Sequence, residues 1–352
     1  MLPIEFLFQE NVEPARSLAT DRYLLNAFQK ATRPRAAVLR AYTARGDFLS
    51  AGRYHRIVPG PSPPSIWRRP SGGRTLPFGD GFLGFSLLLP HRSALVSEDP
   101  FHLSPYQVPN RYARGVLTAL RGFGIDAFYP GRDFVTVHRK PIAMVTFESD
   151  GRGALLFEGI LALERDFSIL ADFLAIADPG GSLAGECLDR AGVTSLASET
   201  REPRAARDVA AALLRGFAEQ FGVETEAREL SPLEVQAIDA IESREFREGW
   251  LAERCSGDDL RLVAATPVPL GVFEVRFALE QERFLREVRF YGDFIANSPG
   301  VEELERELRL CPADWQSVAL VADKVYNRPA NYVLGIGKLR TIPDTIVKAL
   351  PA

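Results

Sequence analysis

Residues 67–86 constrain this chain more than any other stretch: Trp-Arg-Arg-Pro-Ser-Gly-Gly-Arg-Thr-Leu-Pro-Phe-Gly-Asp-Gly-Phe-Leu-Gly-Phe-Ser. Glycine lets the backbone approach a neighbour closely and reach φ > 0 at little steric cost. The guanidinium of arginine is a rigid fork of donors matched to phosphate and carboxylate. Arg68, Arg69 and Arg74 frame the pair Gly72-Gly73, and an apolar run to Leu89 follows. Two readings fit, a tight turn between strands or a loop that holds an anion beside a strand.

The hydrophobic pattern around this loop is that of an α+β chain. Helical spacing covers 18–31, and 36–42 is strand-like. After the loop, 82–89 is a strand ended by Pro90, and 113–123 a helix ended by Gly124. A meander follows: strand 134–138, turn 139–141, strand 142–147, turn 148–153, strand 154–163. Strands joined so closely are antiparallel. Helices are expected at 166–177, 203–222 and 231–241. Charged and glycine-rich residues crowd 242–250, which places a boundary there, with domains at 1–245 and 246–352. The second part reads as a small α+β unit: strands 272–279 and 284–291, helices 301–310 and 341–350.

Composition excludes several classes. A chain of 352 residues with a formal charge of −4 carries no basic field that would draw it to nucleic acid or to a membrane surface. No apolar run approaches the ~20 residues of a membrane helix, and the start of the chain is too short in apolar residues and too acidic for a signal peptide. Cys187, Cys255 and Cys311 are widely spaced, which suits a reducing cytoplasm and makes neither a disulfide framework nor a metal site. The four histidines have no paired spacing, so no protein-held metal is expected.

Three groups carry candidate chemistry. In the loop, the Gly72 and Gly73 N–H groups offer themselves to an oxyanion and the arginines to a phosphate or carboxylate. Asp133 and Lys140 flank the strand 134–138; a lysine there either meets developing negative charge in a cleft or is a solvated turn residue. Glu158, between Phe157 and Gly159, is a base, a ligand or a residue of an exposed strand face. Gly79-Asp-Gly81-Phe-Leu-Gly84 has dinucleotide-loop spacing but precedes a strand, the wrong context for such a site. Gly-x-Ser-x-Gly is absent, and Cys187 reads as inert.

In order, these motifs resemble the lipoate–protein ligase family of the biotin/lipoate ligase superfamily. Ala51-Gly-Arg-Tyr54 resembles its early strand-turn and Arg68 to Gly73 its lipoate-binding loop. Gly131-Arg-Asp133 stands where the family has Gly-Asn-Asp, Lys140 at its lysine, and Ala191-Gly-Val-Thr-Ser195 at its Gly-Ile-Thr-Ser. The family's His-Gly on the third strand reads Glu158-Gly159, and from Arg74 to Gly84 the chain departs from the family pattern. Gly-Gly-Arg is the form of the octanoyltransferase branch, whose nucleophilic cysteine has no counterpart between Gly124 and Lys140.

The resemblance implies a class II synthetase-like α+β catalytic domain, with a mixed, mostly antiparallel sheet flanked by helices, and a small α+β accessory domain. It implies that ATP, Mg²⁺ and lipoate or octanoate give an acyl-adenylate, whose acyl group passes to a lysine of a lipoyl-carrier domain. Arg69, Ser71, Gly72, Gly73, Arg74 and Asp133 would bind substrate and Lys140 would be catalytic. Leu76, Phe85 and Val145 are expected to line the acyl pocket. An ATP-independent octanoyl or lipoyl transferase and a non-catalytic lipoyl-domain binder remain as alternatives.

Overall fold

The computed structural model describes residues 2–30, 36–57, 65–177, 190–246 and 260–350. Strand β1 (Ile4–Val12) leads into α1 (Pro14–Lys30), which starts on a proline, the residue best suited to a first helical position. β2 (Ala37–Ala44), β3 (Phe48–Ala51), β4 (Ser65–Arg68), β5 (Leu76–Phe78) and β6 (Phe82–Leu89) follow. After α2 (Val108–Arg121) the meander is β7 (Phe134–Val137), β8 (Lys140–Ser149) and β9 (Leu155–Ala162). The helices α3 (Leu170–Ala177), α4 (Leu196–Thr200) and α5 (Ala206–Phe221), strand β10 (Thr225–Ala227) and helix α6 (Pro232–Glu245) complete the first part. Gly222 ends α5 in the left-handed region, and a Ser231–Glu234 capping box starts α6.

Seven strands form the main sheet in the order β10-β1-β2-β6-β9-β8-β7. β1 runs parallel to both β10 and β2, and every other pairing is antiparallel. The sheet is therefore mixed and mostly antiparallel, as expected. β1 itself is not foreseen, because its start looks only like a short apolar terminus. One face packs on α2 and α5 in a core that includes Phe85, Phe147, Phe157 and Phe217, all fully buried. Each such ring contributes roughly 2–3 kcal/mol on burial. The other face takes α1, with α6 outside it, and the small sheet β4-β3-β5.

Residues 260–350 build a second sheet, β11 (Leu262–Val268), β12 (Gly271–Glu280) and β13 (Phe284–Gly292), entirely antiparallel. With it come β14 (Ile295–Ala296), α7 (Ser298–Glu307), α8 (Trp315–Tyr326), β15 (Val333–Leu334) and α9 (Thr341–Lys348). The expected helix at 301–310 begins three residues earlier at Ser298, and β11 and α8 are additions to the expected set. The buried core of this part includes Tyr54 of the first part. The main core in turn includes Leu270, Ile295 and Tyr332.

Polar contacts bind the two parts together. Tyr54 stacks on Phe294 with centroids 4.3 Å apart, and its hydroxyl donates to the Ala296 carbonyl at 2.9 Å. Tyr332 stacks on Phe147 at 4.7 Å, and its hydroxyl accepts from the Ser149 N–H. Glu148 accepts from the Ser298 N–H at 2.8 Å, at the start of α7. Burial pushes the Glu148 carboxyl up to about 8, against the opposing effect of that N–H and of Arg53.

A raised folded-state value means that the folded chain binds a proton more readily than the unfolded one. Stability is then lost as pH rises from the unfolded value near 4.5 through about 8. Glu148→Gln keeps the acceptor for Ser298 and removes the titration. Thermal melts should show the variant gaining about 2–4 kcal/mol over the parent between acid and alkaline ends of that window. A constant difference across the window would refute the assignment.

Candidate functional site

On the α1 face of the main sheet, α1 and the small sheet leave a slot between them. It is lined by Pro14, Ser17, Leu18 and Asp21 of α1, and by Tyr42, Met144, Thr146, Glu158, Gly159 and Ile160 of the main sheet. Phe48, Ser50, Trp67, Arg68, Arg69, Leu76 and Phe78 roof it. The slot is narrow: the space open to water centres is about 40 Å³, room for a short file of waters.

Its floor is ordered in two rows across the sheet. Tyr42, Gly84, Ile160 and Met144 stand in register and, with Phe48, Leu76 and Phe78 above, make the apolar half. One pleat away Arg40, Ser86, Glu158 and Thr146 stand in register as a buried polar row. Buried polar groups cost free energy unless hydrogen-bonded. Here Asp21 accepts from Arg40 at 3.0 Å and from Ser86 at 2.8 Å, Thr146 donates to the Gly72 carbonyl at 3.0 Å, and the Ser71 hydroxyl donates to Glu158. Burial pushes both the Asp21 and the Glu158 carboxyls up, against Arg40 and Arg69 respectively.

The arginines brace the loop. The Arg69 guanidinium donates to the carbonyls of Ser50 at 2.7 Å, Gly72 at 2.8 Å and Arg74 at 2.7 Å, and to the Ser71 hydroxyl at 3.3 Å. Burial lowers it to about 10, with Glu158 opposing, so it stays charged at neutral pH. Arg68 donates to the carbonyls of Arg53 and His55, each at 2.6 Å. Arg74 pairs with Asp133 at 2.6 Å and lies over the Phe134 ring. Burial pushes Asp133 up, against Arg74.

Expected site residues thus divide. Arg69, Ser71, Gly72, Gly73, Arg74 and Asp133 come together around the loop, and Leu76 lines the slot. The Gly73 N–H, expected to face an oxyanion, donates instead to the Phe294 carbonyl at 2.7 Å, with Gly73 at φ +93°. Phe85 and Val145 do not line the slot. They lie in the main core on the opposite face, where a Cβ on Gly159 would meet the Phe85 ring at 2.5 Å. Lys140 is exposed. His138 and Arg139, both at φ > 0, form a two-residue turn that pairs Val137 with Lys140. Lys140 therefore opens β8 at its exposed end, about 13 Å along the strand from Met144. Glu158, one of whose readings was an exposed strand face, is buried and lines the slot. Asp21 of α1 and Tyr42 and Thr146 of the sheet were not foreseen; for the two strand residues, strands buried on both faces give no alternation to read.

The model of the lipoyl protein ligase A/B catalytic domain matches residues 13–218, which hold the loop, the slot and the whole meander. The chain belongs to this family. Among solved structures, lipoate-complexed LipL1 of P. falciparum superposes with a TM-score of 0.68 at 12% identity, covering 98% of this chain and 99% of that one. Lipoate-protein ligase A bound with ATP gives 0.54 at 18% identity, covering 72% of this chain and 99% of that one. The bi-partite lipoate protein ligase of Thermoplasma acidophilum, described with its E2 lipoyl domain, gives 0.55 at 17%, covering 72% and 99%. No curated protein sequence matches. At these identities the structures share the fold. Their coverage differs: LipL1 spans 98% of this chain and the other two 72%.

Among the described residues no group of three or more His, Cys, Asp or Glu is arranged to hold a metal ion, and no helix is long and apolar enough to cross a membrane. Cys311 is buried, with its thiol pushed up by burial; Cys187 and Cys255 lie outside the described residues.

The lipoyl ligase loop is fitted to its neighbours at atomic tolerance. A Cβ on Gly72 would stand 2.2 Å from the Phe294 carbonyl oxygen and 3.1 Å from the Ile295 Cα, both backbone. Gly72→Ala should therefore cost about 1–3 kcal/mol, as overpacking does. It should also speed hydrogen exchange at the Gly73 amide. An unchanged melt with unchanged exchange would contradict this fit.

Proposed function

We propose that this lipoyl ligase family member is an acyl–protein ligase of the lipoate type, with the slot as the seat of a medium-chain acyl group. The slot as it stands is too narrow for such a chain, so Phe48, Leu76 and Phe78 would have to lift from Tyr42, Met144 and Ile160 for lipoate or octanoate to lie between them, with its reactive carbon toward Arg69, Ser71 and Glu158. The acyl group would pass to the ε-amine of a lysine on a lipoyl-carrier domain, forming an amide. Residues 1–245 act as the catalytic part and 246–352 as the accessory part. The observation that carries this reading is the apolar half-slot ending on the arginine-braced loop.

In the ligase route, ATP and the free acid give acyl-adenylate and pyrophosphate, and the amine then displaces AMP. The ATP-bound relative and the lipoate-bound relative support it, as does the E2 lipoyl domain of the Thermoplasma system for the acceptor. Mg²⁺ would have to come with the nucleotide, since the described residues offer no cluster of metal ligands. Three contacts favour the second route, ATP-independent transfer from an acylated donor. Arg69 is spent on loop carbonyls, the Gly73 N–H is given to Phe294, and Lys140 stands outside the slot.

Lipoate-dependent exchange of pyrophosphate into ATP is the expected signal of the ligase route; its absence excludes that route. Mass gain on a lipoyl domain given octanoyl-carrier protein without ATP identifies the second. Lys140→Ala tests the lysine: with Lys140 at the exposed end of the hairpin, transfer should change less than about threefold. Loss of transfer by 100-fold or more, about 2.7 kcal/mol, with acyl binding intact would return Lys140 to the reaction.

A further inference from the structure

A second cleft opens where the two parts of the chain meet. It offers about 210 Å³ of open space, against about 40 Å³ in the slot. Asp21 of α1 lines both, so the two are neighbours across one side chain. The start of α7 walls it with Ser298, Pro299 and Glu302. Glu148 of β8 also lines it and is only 9% exposed. Its Oε1 accepts from the Ser298 N–H at 2.8 Å. Its Oε2 is buried as well and has no hydrogen-bond partner. A buried acceptor left unpaired costs about 1–3 kcal/mol, so the group that completes this site is a donor.

The charges around the cleft favour a cationic donor. Asp21 is held by Arg40 and Ser86, neither of which lines the cleft, and Arg22 lies 3.5 Å from Glu245 outside it. Among the described residues, the lining then sets Glu148, Asp150 and Glu302 against the guanidinium of Arg53. Asp150 accepts from the Arg152 and Ala154 N–H groups, which leave its charge in place. Burial pushes the Glu148 carboxyl up, against Ser298, Arg53 and Arg22. A further cation at Oε2 shifts it back toward the ionised form. Leu25, Pro70, Leu156 and Pro299 add aliphatic surface to the same lining. An ammonium is a compact charge with N–H donors and suits a single open oxygen, whereas a guanidinium fork is built for two acceptors. An aliphatic stem behind it would cover the leucines and prolines.

We propose that this cleft binds a primary alkylammonium group, with Glu148 Oε2 as its acceptor. Two sources share that chemistry, a free aliphatic amine and the lysine side chain of a carrier domain. The site stands apart from the acyl slot; only its lysine source rests on the acyl-transfer reading. Once occupied, it joins α1 and the end of β8 to α7 through the ligand.

Ligand-observed NMR titration of the full chain with butylammonium and with 1-butanol, its uncharged counterpart, tests this. At about pH 7, where the amine is charged, butylammonium should bind at least about tenfold more tightly than butanol. Glu148→Gln keeps an acceptor for the Ser298 N–H and should weaken butylammonium at least about tenfold, as loss of a charged hydrogen-bond partner does. Glu302→Lys, an exposed change on α7, should weaken it by about threefold or more through charge alone. Circular dichroism checks both folds, and Glu302→Lys decides the matter if Glu148→Gln does not fold. A lipoyl domain that displaces butylammonium only while its acceptor lysine is intact makes lysine the source. No displacement, or displacement that survives a lysine-to-glutamine change in that domain, assigns the site to a free amine. Butylammonium that binds no better than butanol would overturn the proposal, as would either folded variant keeping the parent affinity. Each of these failures leaves the acyl slot standing.

Discussion

The Arg69 guanidinium is the contact on which the site depends. It reaches across the loop to three carbonyls, those of Ser50, Gly72 and Arg74, and so ties β3 to both sides of the Gly-Gly turn. A buried cation needs such partners, because desolvation alone would make the charged form costly. The planar fork satisfies carbonyls at three places at once, which a lysine at this position would not do. Glu158 and Asp133 lie near enough to favour its charge. The roof of the slot, the end wall and the path of the loop are thus set by one side chain and its acceptors. The same saturation leaves this arginine little to offer an anion.

Around that brace, the structure sorts polar from apolar by strand register. Arg40, Ser86, Glu158 and Thr146 cross the sheet as one row, and Tyr42, Gly84, Ile160 and Met144 as the next. Each member of the polar row has a partner outside the main sheet: Arg40 and Ser86 on Asp21 of α1, Glu158 on Ser71 and Thr146 on Gly72 of the loop.

Much of the fold was legible in the sequence. The loop at Arg68–Gly73, the meander from Phe134 to Leu163 and the amphipathic helices all follow from glycine placement and periodicity, and the structure has them close to the expected bounds. The facing of Phe85 and Val145 was not legible. β6 is buried at every position, so its run of apolar side chains has no alternation to reveal which face each takes. The placing of Lys140 was no more legible. Its exposure depends on His138 and Arg139 forming a two-residue turn, and neither residue type announces φ > 0. The partners of the arginines lie far off in sequence, as with Arg74 and Asp133, and no local pattern encodes them.

The bond from Gly73 to Phe294 spans more than 200 residues, as does that from Tyr54 to Ala296. Contacts so distant along the chain form only after the intervening segments have been made and folded. On a ribosome, the arginine loop leaves the exit tunnel long before the residues that back it. Through most of synthesis the nascent chain carries a loop with its Gly73 amide still open and its outer wall missing. The slot in its finished form waits for residues 294–296.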